Sequence, residues 1–220
     1  YDGQVVLPNL GAKGTLVVPQ TYASLVDANQ RVSISHLLDL ATLTWRRGPD
    51  FVNPLHPASA YDSKANVMWY RAEATGSLTK FDGTTVTTYD SNNYAIDYNT
   101  VATVDTKRNQ FVHWDGQTFK RLFVTNLASP NSEPAAITLS GGPPGAPAFE
   151  YVADIDRVVG WNTGKTVYTL NPASYNSGWQ SQGSSSTLTP PDPVNDCYTK
   201  YMYIPAVKCL IGISDVDKVA

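Results

Sequence analysis

The residues of this chain that are best suited to metal or acid–base chemistry are its three histidines, His36, His56 and His113. No two of them stand at the spacing that metal ligands on one element adopt. His36 and His113 fall in predicted strands and His56 falls in a predicted linker, which favours half-buried or surface side chains. The sequence therefore predicts no metal site, and no motif in it requires a cofactor.

Asp154 and Asp156, in the segment ADIDR, are the carboxylates whose spacing most suggests a calcium site or a general acid. Aspartate is also a frequent turn former, because its side chain accepts hydrogen bonds from nearby backbone N–H groups. Asp215 and Asp217 repeat the spacing in SDVDK, and we interpret both pairs as turn residues. The sequence contains no phosphate-binding loop, dinucleotide fingerprint or G-x-S-x-G motif. It therefore predicts no catalytic residue.

The two cysteines, Cys197 and Cys209, have two interpretations. A disulfide between them is one. The favoured alternative is a pair of small apolar residues in or near a strand pair, because two cysteines do not make a disulfide framework. The cysteines therefore do not indicate whether the protein works in an oxidising or a reducing compartment.

The overall composition is that of a folded, turn-rich chain. Hydrophobic residues make up 42% and charged residues only 16%, which excludes a disordered chain. The 15 glycines, 15 prolines and 11% aromatic residues favour an all-β fold. With a net charge of −3 and no Lys/Arg run, nucleic-acid and anionic-membrane partners are disfavoured. No apolar stretch reaches membrane-spanning length.

Residues 149–180 show how the strands are organised. The runs FEYV, VVGWN and TVYTLN and a fourth run opened by Trp179 are joined by segments rich in Gly, Pro, Asn and Asp. Short Val-, Tyr- and Trp-rich runs between such segments are typical of antiparallel strands joined by hairpin turns. The stretch therefore predicts one four-stranded unit.

The same unit recurs along the chain. Second strands begin at Val17, Val67, Phe111, Val158 and Leu210, with spacings of 50, 44, 47 and 52 residues. An apolar run and a turn carrying Lys or Arg precede each of them. A pair of immunoglobulin-like sandwiches is the alternative, but this period with four strands per repeat favours a β-propeller.

The predicted propeller is a single domain with about four complete blades and part of a fifth. The predicted blades cover residues 1–50, 57–97, 98–141, 147–184 and, in part, 198–220. Both ends of the sequence fall inside predicted strands, so we expect it to be part of a longer or processed protein. Tryptophans recur at blade-equivalent places and are predicted to pack between blades; they are Trp45, Trp69, Trp114, Trp161 and Trp179.

The repeat resembles the kelch-type β-propellers, which are related to the central domain of galactose oxidase. The motifs that carry the resemblance are VVGWNTGKTVYTLN (158–171), FVHWDG (111–116) and DLATLTW (39–45). The family's Gly-Gly at the end of the second strand is absent here, and its usual six or seven blades imply that the ring is completed elsewhere. Its copper chemistry needs histidines and tyrosines outside such a blade array, and nothing in this sequence matches them.

Strand order predicts where ligands bind. In a four-stranded antiparallel blade, the loops between strands 2 and 3 share one face with the linkers between blades, and most of the long connections fall there. The segments include 19–33 and 71–77. Long loops on a rigid scaffold usually carry binding residues. The candidate binding residues on this face are Tyr22, His56, Arg71, Glu73, Tyr94 and Tyr98.

The sequence therefore predicts a non-catalytic binding or assembly module of a larger protein or complex. Its expected partners are proteins, or further copies or blades that complete the ring, with a glycan as a further option. Low charge and many Tyr, Ser, Thr and Asn residues favour an extracellular setting or a virus or phage particle. One alternative is a carbohydrate-active or oxidase propeller whose catalytic residues lie outside this chain. Another is intracellular kelch-like substrate recognition.

Overall fold

A computed structural model describes residues 3–23, 31–51, 56–73, 76–89, 96–97, 99–115, 120–132, 135–183, 187, 189–190, 192–193, 196–197 and 201–212. For residues 20–23 and 31–33 it describes the backbone only. Contacts divide the chain into two compact units. The first contains Tyr1–Tyr98 with Asn126–Glu133, and the second contains Asn99–Thr125 with Pro134–Ala220.

The first unit contains two four-stranded sheets, which we call blades 1 and 2. Each is an antiparallel meander in which strands pair in chain order. Blade 1 consists of β1 Val5–Leu7, β2 Thr15–Ala23, β3 Arg31–Asp39 and β4 Thr44–Arg47. Blade 2 consists of β5 Ala58–Asp62, β6 Val67–Arg71, β7 Leu78–Phe81 and β8 Val86–Tyr89.

Three further sheets follow, and they form blades 3, 4 and 5. Blade 3 consists of β9 Val101–Asp105, β10 Gln110–Asp115, β11 Arg121–Asn126 and β12 Ala135–Thr138. Blade 4 consists of β13 Ala148–Val152, β14 Arg157–Trp161, β15 Thr166–Leu170 and β16 Gln180–Gly183. Blade 5 is described as the two-stranded sheet β17 Tyr201–Ile204 and β18 Cys209–Gly212.

One predicted loop is largely strand. The sequence places an excursion at 19–33, but β2 runs on to Ala23 and β3 begins at Arg31, with Pro19 paired to Ser35 and Tyr22 to Val32. The β-branched and aromatic residues of this segment extend the hairpin past its proline. Proline ends a strand only where its missing N–H is needed for the sheet.

Within each unit, successive blades pack through their first strands and the sides of their sheets. In the first unit β1 lies beside β5, and in the second unit β13 lies beside both β9 and β17. Four-stranded meanders that follow one another in this way are the blades of a β-propeller. The predicted all-β propeller, with four complete blades and part of a fifth, is confirmed as the fold.

The cores lie between blades. Val17 and Leu37 of blade 1 pack against Met68, Tyr70 and Phe81 of blade 2. In the second unit a larger cluster joins blades 3 and 4; its members include Val112, Trp114, Leu122, Phe149, Tyr151, Val158 and Leu170. A blade can therefore be buried on both sides of its sheet, by the blade before it and by the blade after it. We call the side toward the earlier blade the preceding side and the side toward the later blade the following side.

The turn between strands 1 and 2 has one repeated geometry. In blade 3, the Asp105 carboxylate accepts hydrogen bonds from the backbone N–H groups of Lys107 and Arg108, and Asn109 ends the turn in the left-handed conformation (φ 55°). Asp62 and Asn66 repeat this arrangement in blade 2. These hydrogen bonds to the backbone of the turn explain the aspartate at this position, and no bound ligand is needed to explain it.

Candidate functional site

The predicted ligand-binding face brings two of its candidate residues together. His56 lies just before β5 and Glu73 lies just after β6, so a linker between blades and a loop between strands 2 and 3 meet here. His56 Nδ1 stands 2.7 Å from Glu73 Oε2, and the two side chains are 30% and 26% exposed. His56 also adopts the left-handed conformation (φ 41°), which is uncommon for a residue other than glycine. A carboxylate on Nδ1 fixes the orientation of the imidazole ring.

Arg71, at the end of β6, is hydrogen-bonded to the loop that carries Glu73. Its side chain is fully buried, and its guanidinium donates a hydrogen bond to the Gly76 carbonyl. The backbone N–H of Gly76 donates to the Ala72 carbonyl at 2.9 Å, and that of Ala72 donates to Ser77 at 3.1 Å. Arg71 therefore positions the loop that carries Glu73. Direct contact of Arg71 with a ligand stays a prediction.

The remaining candidates are not brought into this arrangement. Tyr22 lies in β2 with its side chain outside the described part, and Tyr94 and Tyr98 lie outside the described residues altogether. Within the described residues, no group of three His, Cys, Asp or Glu side chains could hold a metal ion. In the same residues, no helix is long and apolar enough to cross a membrane. Cys197 is buried, Cys209 is exposed, and both are free thiols.

The turns of blades 3 and 4 are joined by an ionic cluster that sequence reasoning missed. Arg108 donates to Asp156 at 2.8 and 3.0 Å and to Asp105 at 2.9 Å, and Lys107 donates to Asp156 at 2.6 Å. The Arg108 guanidinium, with Lys107, holds the pKa of the Asp156 carboxyl well below its usual range. Burial and the Asp156 hydrogen bond raise the pKa of Tyr151 to about 12. The cluster stabilises the contact between the two blades. Both carboxylate oxygens of Asp156 accept hydrogen bonds within it, so the cluster explains this residue without a catalytic role.

Glu150, in the middle of β13, is a titratable residue that no motif indicated. It is half-buried on the following side of blade 4, and burial raises its pKa to about 8. Thr103 occupies the same place in blade 3, where its hydroxyl accepts a hydrogen bond from the backbone N–H of Tyr151 at 2.9 Å. Burial at this position therefore favours the protonated form of the Glu150 carboxyl. Only the tertiary structure reveals the burial that causes this.

One row of residues recurs across the preceding sides of blades 1, 2 and 4. In blade 4, Tyr151 pairs with Val158 and Val158 pairs with Leu170 on neighbouring strands. Gln180, the first residue of β16, pairs with Thr169, so Trp179 continues the row next to Leu170. This row is part of the core against blade 3, where Trp179 meets Trp114 with ring centroids 5.3 Å apart. The corresponding row of blade 2 packs against blade 1; it consists of Tyr61, Met68, Phe81 and Val86. We call these sets the preceding rows.

The preceding row of blade 1 is instead open. It joins Val6, Leu16, Leu38 and Trp45 as direct cross-strand partners. Val6, Leu16 and Leu38 are only half-buried, and Trp45 is 54% exposed. Trp45 and Trp179 therefore occupy equivalent positions, as the repeat predicted. The prediction that Trp45 packs between blades differs from the structure, because none of the described residues covers this side of blade 1.

Comparison with solved structures supports the fold. A Bacteroides thetaiotaomicron protein of unknown function matches with a TM-score of 0.54 at 12% identity, over 81% of this chain and 42% of its own. A chain of a nidogen–laminin complex matches with a TM-score of 0.51 at 14% identity, over 76% and 60%. A Fusarium graminearum α-L-arabinofuranosidase matches with a TM-score of 0.53 at 13% identity, over 92% and 68%.

These similarities show the β-propeller fold. This chain spans 42% and 60% of the length of the first two matched chains. No family model and no curated protein sequence matches it. The propeller part of the resemblance is therefore confirmed, whereas the kelch type stays a prediction.

Proposed function

We propose that this chain is a non-catalytic β-propeller module that binds and assembles within a larger protein or complex. The observation that carries the proposal is the open preceding row of blade 1. In blades 2 and 4 the same row is core, packed against an earlier blade. A row built like an inter-blade contact but left exposed at Trp45 is best explained by a partner that covers it.

The size of the exposed side chains adds to this argument. Burying a large aromatic or aliphatic side chain stabilises a contact by roughly 1.5–3 kcal/mol. Leu43, in the turn that leads into β4, is 73% exposed beside the 54% exposed Trp45. Tryptophan is among the residues most enriched at the energetic centres of protein interfaces. The side of blade 1 therefore has the composition of a contact surface.

The pair of His56 and Glu73 supports a second, smaller binding surface on the loop face. An imidazole oriented by a carboxylate can exchange hydrogen bonds with a glycan hydroxyl or a polar protein group. An extracellular or virus-particle setting stays a prediction from composition.

Hydroxyl-radical footprinting of tryptophan tests the proposed function. The protein would be isolated under mild conditions from its native source and compared with the recombinant chain. We expect Trp45 to react in the recombinant chain and to be protected at least ~5-fold in the native assembly, because contact removes its exposed surface. Trp179 is the internal control, since it is packed in a core in both samples.

Equal reactivity of Trp45 in the two samples would contradict the proposal. So would a native mass of 23.9 kDa, which is the mass of the chain alone.

A second candidate is a carbohydrate-active or oxidase propeller whose other catalytic groups lie outside this chain. The glycosidase form of this candidate is motivated by Glu150, because burial raises its pKa and the general acid of a glycosidase needs a raised pKa. Glycoside hydrolysis that the substitution Glu150→Gln abolishes would favour this candidate over the assembly module.

A further inference from the structure

The described part of the chain leaves a second blade side open, on blade 5. Met202 and Ile211 are direct cross-strand partners and are 53% and 49% exposed. Tyr201 and Tyr203, which alternate with Met202 along β17, contact blade 4: Tyr201 stacks on Trp161 with centroids 6.0 Å apart, and Tyr203 donates to Asp154 at 2.9 Å. Met202 and Ile211 therefore lie on the following side of blade 5.

The equivalent positions in earlier blades are buried. Counted from the turn between strands 1 and 2, Ile211 corresponds to Val112 in blade 3 and to Val159 in blade 4. Val112 is fully buried and Val159 is 4% exposed. An isoleucine that is about half exposed at this position marks a following side without a following blade among the described residues.

The two open sides correspond to the two halves of an inter-blade contact. Blade 1 presents a preceding row, and blade 5 presents a following side. Inside the chain, contacts of this same kind join blade 3 to blade 4, where Val112 and Trp114 pack against Val158 and Leu170. One molecule therefore carries both halves of a contact that the fold already uses.

We propose that the occupant of the blade 1 side is blade 5 of a second copy of this chain. Met202 and Ile211 of one copy pack against Val6, Leu16, Leu38 and Trp45 of the next. The contact is heterologous, because each copy contributes a different surface. This inference rests on the proposed assembly function and names its partner.

Complementation between two variants of the recombinant chain tests the inference. Trp45→Glu leaves the blade 5 side intact, and Met202→Glu leaves the blade 1 side intact. Mass photometry and sedimentation velocity should show that the wild-type chain self-associates and that each variant alone weakens association on the order of 100-fold, as the loss of an interface anchor does. An equimolar mixture of the two variants should restore a 1:1 complex that grows no further.

Ile155→Glu is the matched control, because Ile155 is a 57% exposed apolar residue in a turn of blade 4 and belongs to neither open side. It should associate like the wild type. Far-UV circular dichroism checks that each variant is folded, as the exposure of the substituted side chains leads us to expect.

A wild-type chain that stays monomeric at every concentration would overturn the second copy as the partner. Loss of association in both single variants without recovery in the mixture would do the same. Neither result affects the protection of Trp45 that is measured in the native assembly. The proposed assembly function would then stand with a different partner. Unprotected Trp45 in the native assembly would overturn both.

Discussion

At the scale of single residues, the same side chain has two roles depending on what lies beside its blade. Trp179 and Trp45 stand at equivalent points of blades 4 and 1. Trp179 meets Trp114, Phe149 and Tyr168 edge-on, whereas Trp45 meets the ring of His36, from its own blade, at 6.3 Å between centroids. The position is therefore structural in blade 4 and available for contact in blade 1.

This difference predicts unequal costs of truncation. Trp179→Ala should lower the free energy of unfolding by about 3–5 kcal/mol, because it leaves a cavity between two blades. Trp45→Ala should cost less than ~1 kcal/mol in the monomeric chain, because its side chain is largely in water already. Urea denaturation of both variants under conditions where the chain is monomeric measures this. Equal costs would contradict the assignment of the two tryptophans.

Glu150 is the second residue whose environment decides its chemistry. Its pKa is raised from 4.5 to about 8 by burial, so the folded state holds the proton more tightly than the unfolded state does. The contribution of Glu150 to stability is therefore complete below pH 4.5 and is lost as the pH rises from there through about 8.

We expect Glu150→Gln to remove this dependence. The variant should be more stable than the wild type at pH 9 by roughly 1–3 kcal/mol, because no charge has to be buried between blades 4 and 5. At pH 4 the two proteins should differ little. The measurement is urea unfolding across the pH range, and identical pH profiles for both proteins would count against a buried neutral Glu150.

At the scale of elements, the turn between strands 1 and 2 is the most regular feature of the blades. It ends with a left-handed residue in blades 2 to 5; these residues are Asn66, Asn109, Asp156 and Lys208. Asparagine and aspartate tolerate this conformation, whereas lysine pays a steric penalty because its Cβ approaches the backbone. The hairpin of blade 5 thus contains the least favourable version of a shared turn.

Lys208→Gly should relieve that penalty. Glycine adopts the left-handed region freely, so we expect the hairpin to gain about 0.5–1 kcal/mol after the entropy that glycine adds to the unfolded chain. Hydrogen exchange of the β17 and β18 amides measures the local gain. Asn109→Gly in blade 3 is the matched control and should change stability by less than ~0.5 kcal/mol. Faster exchange in the Lys208 variant would mean that the lysine side chain stabilises the turn.

At the scale of the whole molecule, the proposed function rests on three surfaces: the two open blade sides and the loop face. The open sides carry the apolar residues of an inter-blade contact, and the loop face carries the oriented pair of His56 and Glu73.

The blade pattern follows from local signals along the sequence. Strand order and turn positions depend on local signals: alternating apolar residues, and Gly, Asn and Asp at the turns. The shared face of His56 and Glu73 followed from strand order alone, because in a meander every second connection emerges on the same face. The extension of β2 through Pro19 was missed, because a local breaker signal was overridden by pairing with Ser35.

Which of the repeated positions are buried depends on the three-dimensional packing of the blades. Trp45 and Trp179 have the same place in the repeat, and Glu150 stands where blade 3 has Thr103, so no sequence pattern separates them. The distinction comes from what surrounds each side chain. Trp179 packs against the core between blades 3 and 4, no described residue of another blade covers Trp45, and burial raises the pKa of Glu150. The burial of a residue depends on the residues that pack against it. The position of a residue within a sequence repeat does not specify those neighbours.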